Sequence, residues 1–174
     1  MNVFPDTPIL IRQIEQDDAP AFLDLCNRLD EETDFRMFEP GERQTTGEQQ
    51  RRILHDFLVR PNHTILVAER DGDLIGYLSA GGGHFHRNYH SVQIVAAVLQ
   101  AHAGQGIGTR LFIELERWAL ENQVHRLELT VMANNRGAIG LYKKMGFEVE
   151  GLKHHALCVD GVYIDEYLMA RLLD

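Results

Sequence analysis

"AGQGIGTRLFIELERWA", Ala103 to Ala119, sets three glycines at alternate positions, Gly104, Gly106 and Gly108, immediately before a helical pattern. Ile107, Leu111, Leu115, Trp118 and Ala119 recur on one helical face and carry the helix to about Asn122. Just upstream, "VQIVAAVL" from Val92 to Leu99 reads as a central strand, apolar on both faces. A strand, a glycine turn and a helix bring free backbone N–H groups and the positive end of a helix dipole to one point. Phosphate is the natural guest there. Gly106 and Gly108 lack a Cβ, so a pyrophosphate could lie against the main chain without a steric clash.

Spacing separates the known kinds of phosphate loop. A Walker loop needs GxxxxGK followed by Ser or Thr, and "GQGIGTR" offers no such Lys. A dinucleotide fingerprint needs GxGxxG, whereas these glycines run GxGxG. Glu128 stands about 20 residues on, where a ribose-binding acid belongs, but no series of parallel βαβ units continues beyond it. A tight turn that only lets strand and helix pack is the other reading of the glycines.

Outward from the loop, the chain reads as one α/β domain over residues 1–174 on a mixed sheet. "ILIRQIE" from Ile9 alternates as a strand, and Asp17 or Asp18 is placed to cap the helix "APAFLDLCNRL". "EQQRRILHDFLVR" carries a stripe of Ile53, Leu54, Phe57 and Leu58. "HTILVAER", "DGD" and "LIGYLSAGGG" form a hairpin. After the glycine-loop helix, "RLELTVMA" puts Leu127, Leu129 and Val131 on one face. A further helix carries Ala138, Leu141, Tyr142 and Met145, starts at Asn134 or Asn135 and stops at Gly146. "FEVEGLKHHALCV" and "VYIDEYLMARLL" close the chain as a hairpin around Asp160 and Gly161.

Composition narrows the function classes. A chain of 174 residues buries roughly 70% of its unfolded surface, enough for one core. A formal net charge of −9 argues against the phosphate backbone of a nucleic acid as partner. No apolar run approaches the roughly 20 residues of a membrane span, and the N-terminus has no secretion pattern, so a soluble, cytoplasmic protein is expected. Cys26 and Cys158 are too few for a disulfide framework and are expected as free thiols. The charge is unevenly spread: eleven acidic residues face three basic ones, Arg28, Arg36 and Arg43, between Glu15 and Glu48.

Two adjacent segments carry a family resemblance. "VLQAHAGQGIGTRLFIELERWA" resembles the acetyl-CoA pyrophosphate loop and following helix of the GNAT superfamily of N-acetyltransferases, and "LELTVMANNRGAIGLYKKMGFEVEG" resembles its next strand and helix. The resemblance covers Val92 to Gly151. It implies a GNAT-like, mostly antiparallel central sheet flanked by helices, with the fourth and fifth strands splayed so that the pantetheine arm of acetyl-CoA inserts beside Val98. The pyrophosphate then sits on the amides of Gln105, Gly106, Ile107, Gly108, Thr109 and Arg110. Asn135 and Ala138 match cofactor-contact positions, and Lys143 and Lys144 are within the motif's reach of the 3′-phosphate. The family loop usually begins with Gln or Arg where this chain has Ala103, or Ala101 in a shifted register. Most phosphate hydrogen bonds in such a loop come from the main chain, so the change is expected to be tolerable. Dimerisation is common in that family, so a homodimer is allowed.

Acyl transfer to an amine needs an unprotonated amine, a polarised thioester carbonyl and a proton for the leaving thiolate. Tyr142 matches the family tyrosine that supplies the proton; a core aromatic on its helix stripe is the alternative reading. No carboxylate stands between Val92 and Leu99, so a base is sought in Glu128, in a loop residue such as Glu39, or in ordered water. His84, His86 and His90 have a spacing a metal could use but lack carboxylate partners, so no metal site is expected. His154 and His155 read as surface or substrate-mouth residues. The resemblance implies an N-acetyltransferase using acetyl-CoA on a primary amine of a small metabolite, with a cation favoured by the acidic segment. Protein N-terminal or lysine acetylation, and non-catalytic acyl-CoA binding, are the alternatives.

Overall fold

The structure, a computed structural model, describes residues 7–174; residues 1–6, read above for a targeting signal, lie outside it. Seven strands form one sheet in the order β1-β2-β3-β4-β5-β7-β6. These are β1 (Leu10–Gln13), β2 (His63–Arg70), β3 (Asp73–Gly82), β4 (Ser91–Val98), β5 (Arg126–Met132), β6 (Glu148–Val159) and β7 (Val162–Leu172). Every neighbouring pair is antiparallel except β4 and β5, which are parallel. The helices are α1 (Ala19–Glu32), α2 (Gly47–Leu58), α3 (Ile107–Glu121) and α4 (Arg136–Lys144).

Local chemistry fixes most of these boundaries. Asp71 and Gly72, both at positive φ, close the β2–β3 hairpin in the left-handed conformation that such two-residue turns demand. Thr46 and Gln49 form a reciprocal capping box at the start of α2, with Gln49 N–H on Thr46 Oγ1 at 3.2 Å and Thr46 N–H on Gln49 Oε1 at 2.8 Å. Asn135 caps α4 by accepting the Ala138 N–H at 3.2 Å, and Gly146 at φ 86° ends it. At α1 the expected aspartate cap is not made. Asp18 sits at the cap position, but its carboxylate takes Arg12 at 2.7 and 2.9 Å and the Glu15 N–H at 2.7 Å, because a guanidinium is the stronger donor.

Splaying is explicit in the registers. β3 follows β4 from Gly82↔Val92 to Gly76↔Val98, whereas β4 follows β5 only from Ser91↔Arg126 to Gln93↔Glu128. β5 then continues along β7 as far as Met132↔Glu166. Leu99 N–H donates to Ile75 O at 2.9 Å, which turns the odd-numbered residues of β4 towards β3. By strict alternation, the N–H and C=O groups of Ile94, Ala96 and Val98 face the opening.

The expectation that Val92–Leu99 is apolar on both faces holds for one face only. Val92 and Ile94 are buried in the core beneath α3, but Val95, on the α1/α2 side, is 52% exposed and Gln93 is exposed too. The reason is coverage: α1 packs on β3 and α2 on β2, which leaves that side of β4 and β5 bare. An exposed apolar floor beside an unpaired strand edge is what a bound ligand would cover.

Candidate active site

Ala103 to Arg110 lead from β4 into α3. Gly106 is the N-terminal cap of α3 in the left-handed region at φ 76°, and Gly104 lies at φ 73°. A Cβ added at either would meet nothing within 4 Å, so the space above both is open. The first intrahelical bond is Arg110 N–H to Gly106 O at 3.0 Å. Helix geometry therefore leaves the amides of Ile107, Gly108 and Thr109 without intrahelical acceptors, at the positive end of a 15-residue helix. That cradle fits a pyrophosphate.

Two sequence expectations change here. The Arg110 amide is already used within the helix, and its guanidinium donates to Ile9 O at 2.7 Å, so Arg110 ties the loop to the residue before β1 instead of offering an amide to phosphate. Gly108 is small for a different reason from the one expected. A Cβ there would lie 2.7 Å from Leu141 Cδ2, so Gly108 lets α4 pack against α3. Gly106→Val is accordingly expected to weaken acetyl-CoA binding at least tenfold, about 1.4 kcal/mol, through left-handed strand-to-helix strain and a side chain over the free amides. Gly108→Ala should leave affinity within about threefold, since the far end of Leu141 can rotate away. Calorimetry on both variants checks the pair, and equal losses would contradict the assignment.

Cations gather at the same loop. Lys144 Nζ lies 3.5 Å from Thr109 Oγ1, while Lys143 is exposed without a polar partner among the described residues. Arg70 at the end of β2, unmarked by any local motif, reaches Gln105 Oε1 at 2.9 Å and approaches His102 Nδ1 at 3.4 Å. Its Nε is buried with no hydrogen-bond partner among the described residues.

Tyr142 is 8% exposed and packs α4 on α3 through Phe112 and Phe147, at ring distances of 5.6 and 6.0 Å. Burial pushes its hydroxyl up to about 12. No hydrogen bond to that hydroxyl is present among the described residues, yet its oxygen is not sealed from solvent. Both readings of Tyr142 therefore coexist in one side chain: the ring is core, and the hydroxyl is protonated and free to donate. Asn135 and Ala138 lie at the head of the same helix, the Ala138 amide being taken by the Asn135 cap.

Glu128 is less free than the sequence allowed. One oxygen accepts from Gln93 Nε2 at 2.6 Å and the other from Arg126 Nε at 2.7 Å. It lines a cleft of about 470 Å³ on the α2 side of the sheet, together with His63, Gly81, His84 and Gln93. A second cleft of about 410 Å³ opens at the far end of the splay, lined by Glu31, Glu32, Asp34, Phe35, Gln100 and Met132 among others. Exposed Val95 is on the strand between them.

The loop joining α1 and α2 is pinned from beneath. Asp30 is 2% exposed and accepts from Arg36 Nε at 3.1 Å and Arg43 Nε at 2.7 Å; Arg36 also donates to the Tyr77 hydroxyl at 2.7 Å. Glu39 stays on the outside of this loop, its N–H held by Glu42 at 2.8 Å. The other histidines do not converge. His84 bonds Arg60, His90 lies 6.3 Å from the His125 ring, and the neighbours His154 and His155 both bind Asp165 from β6. No group of three metal-ligating side chains is present among the described residues.

A parallel strand pair that opens at its carboxyl end, with free amides at the following helix, is the arrangement that the resemblance to the acetyl-CoA-dependent acetyltransferases implied. The chain belongs to the GNAT family of acetyltransferases, whose family model matches residues 24–147. It is 35% identical over 117 residues to an L-amino acid N-acetyltransferase of Escherichia coli, a match covering 65% of this chain and 70% of that one. An acetyltransferase of the GNAT family from Streptococcus pneumoniae superposes with a TM-score of 0.91 at 28% identity, over 96% of this chain and 100% of the other. A ribosomal-protein-alanine N-acetyltransferase from Brucella melitensis gives 0.83 at 32%, over 94% and 99%. The protein is an N-acetyltransferase, and acetyl-CoA is its donor. No helix among the described residues is long and apolar enough to cross a membrane.

Proposed function

We propose that the acceptor is the primary amine of a small cationic metabolite, acetylated by direct transfer from acetyl-CoA. The observation that supports this is the ownership of the cations in the acidic segment. Arg36 and Arg43 turn inward and are used up by Asp30, while Glu31, Glu32 and Asp34 line the cleft at the open end of the splay with no Lys or Arg on its wall among the described residues. A focused negative potential raises local cation concentration and on-rate by roughly 10 to 10³, and salt erodes it. The pantetheine arm lies along the free N–H and C=O groups of Ala96 and Val98. The amides of Ile107, Gly108 and Thr109 hold the pyrophosphate, and Tyr142 donates to the sulfur as the C–S bond breaks.

The relatives include an L-amino acid N-acetyltransferase and a ribosomal-protein-alanine N-acetyltransferase. A panel of spermidine, L-leucine, ethanolamine and an Ala-initiated peptide, followed by release of free thiol, separates these classes. Spermidine is expected to give the highest kcat/KM at low salt, with the advantage shrinking as salt is added. Glu31→Lys with Asp34→Lys should raise its KM selectively. Glu32 is left intact because it accepts the Gln100 N–H at 2.8 Å and so holds the end of β4. A salt-insensitive preference for leucine or the peptide would replace this acceptor with theirs.

A further inference from the structure

His63, Gly81, Gln93 and Glu128 form one row across four strands, joined by the registers His63↔Gly81, Gly81↔Gln93 and Gln93↔Glu128. Register partners share a face, so all four positions look towards the α2 side. Gly81 contributes no side chain, and a Cβ there would meet Phe57 of α2 at 3.3 Å and His63 Cδ2 at 3.7 Å. The row is therefore a cleft with a bare floor, an imidazole on one wall and the Gln93–Glu128 pair on the other. Strands are about 4.8 Å apart, so the His63 and Gln93 backbones stand about 10 Å from each other, room for one small substituent. Gln93 and Glu128 are also the last residues paired before β4 and β5 diverge, so this cleft adjoins the closed end of the cofactor slot.

His63 is held as a proton acceptor. Asn62 is 1% exposed and gives its two amide protons to Gly83 O at 3.0 Å and Tyr89 O at 3.1 Å, which leaves its Oδ1 facing His63 Nδ1 at 3.0 Å. Gly82 is bare to admit Asn62, for a Cβ there would fall 2.1 Å from Asn62 Nδ2. A carboxamide oxygen only accepts, so Nδ1 carries the proton and Nε2 carries the lone pair. Gly82 N–H approaches the same Nδ1 at 3.3 Å, a longer contact that cannot compete with an amide whose orientation two carbonyls fix. Nε2 has no partner among the described residues and is not sealed from solvent. Its neighbour Cδ2 lies over Gly81, which aims that edge of the ring at the cleft.

We propose that His63 is the general base of this acetyltransferase, taking the proton of the acceptor ammonium at Nε2, with Asn62 as its positioning residue and Glu128 holding the opposite wall. The proposal rests on the family's acetyl transfer and leaves the identity of the acceptor open. The ammonium loses one proton to Nε2. The neutral nitrogen forms the C–N bond to the thioester carbon, and the C–S bond breaks as Tyr142 gives its hydroxyl proton to the sulfur, which leaves as coenzyme A thiol. The nitrogen gives up its second proton to solvent, from which the Tyr142 hydroxyl is restored. His63 then returns its proton to solvent. Glu128 is the poorer base because both of its oxygens already accept hydrogen bonds.

Burial first, and then the Arg60 guanidinium and the neighbouring His84, hold the His63 imidazole below its ordinary value of 6.5. Arg60 comes from the α2–β2 turn, His84 from the β3–β4 loop and Glu128, with its partner Arg126, from β5; α2 itself presents the Phe57 ring, 4.6 Å away. The imidazole is thus neutral and ready at neutral pH. Activity should rise with pH through a value below 6.5 and then level off.

The test uses the full chain with spermidine or L-leucine as acceptor, and also with water alone, since a base placed to deprotonate the acceptor is expected to activate an attacking water too. His63→Gln is expected to lower both rates about 100-fold at pH 7, to abolish the acid limb of kcat/KM, and to leave acetyl-CoA affinity within twofold. Arg60→Gln should move the limb to higher pH, which a purely structural histidine would not do. Nitrogen NMR of the imidazoles should show His63 protonated at Nδ1. His63→Gln turning over within threefold of the parent, with the limb in place, overturns the proposal while leaving the acetyltransferase intact. Should His63→Gln not fold, an unmoved limb in Arg60→Gln overturns it equally. If no amine on the panel is acetylated, the acceptor proposal fails, and the hydrolysis rates still judge His63.

Discussion

Tyr142→Phe is expected to lower turnover by about 10² to 10⁴ while acetyl-CoA affinity stays within twofold, because it deletes a proton donor and leaves the ring in place. The hydroxyl that it removes has no hydrogen-bond partner among the described residues, so no internal bond is broken. Packing against Phe112 and Phe147 is kept, and stability should hardly change. The same burial that pushes the hydroxyl up to about 12 keeps it protonated across the working range. A depressed tyrosine would impose a falling limb on the alkaline side. This one should impose none up to about pH 10. Single-turnover rates of the parent and the variant, measured where chemistry limits, check the size of the effect. A variant within twofold of the parent would return Tyr142 to a packing role alone.

Asp30→Ala should produce the largest loss of stability available from one polar side chain. Its carboxylate is the counter-ion of two guanidinium groups whose side chains are 10% and 13% exposed, and removing it leaves both charges buried without compensation. Breaking such a buried arrangement costs about 3–5 kcal/mol. For a chain of this length that lowers the thermal midpoint by about 10 °C. Arg36 is also tied to Tyr77 and Arg43 stacks over Phe38 at 4.2 Å, so the loop from Thr33 to Thr46 should loosen as a unit. The functional trace is selective: KM for the acceptor rises, and acetyl-CoA affinity, proposed to reside at the start of α3, does not. Denaturant unfolding of Asp30→Ala beside Asp30→Asn checks the charge. A loss below 1 kcal/mol would mean that solvent reaches the two arginines after all.

What the sequence made legible is local. The glycine spacing before Ile107, the α4 cap read as Asn134 or Asn135 and found at Asn135, the stop at Gly146 and the Asp71–Gly72 turn each depend on hydrogen bonds or φ values within four residues. The glycine loop and the helix start behind it were legible for that reason, although the Arg110 amide, read as free, is used within the helix. Local pattern misled where a neighbour in space competes for the same atoms or surface. Asp18 prefers Arg12 to its helix, Gly108 answers to Leu141, and the apolar run of β4 has one face that no helix covers.

The cleft proposed for the acceptor was not legible. His63, Gly81, Gln93 and Glu128 are separated by 12 to 35 positions and meet only because sheet order and register align them; Asn62 marks His63 only once Gly83 and Tyr89 fix its amide. Asp30 likewise gathers two arginines that, in sequence, merely dilute an acidic run. The sequence by itself determined the glycine turn and the free amides at the start of α3, since a helix start is built by consecutive residues. Only the tertiary structure decided what meets in the cleft beside Gln93, because that cleft is a row across strands, and side chains in such a row are set by cross-strand register instead of by their neighbours in the chain.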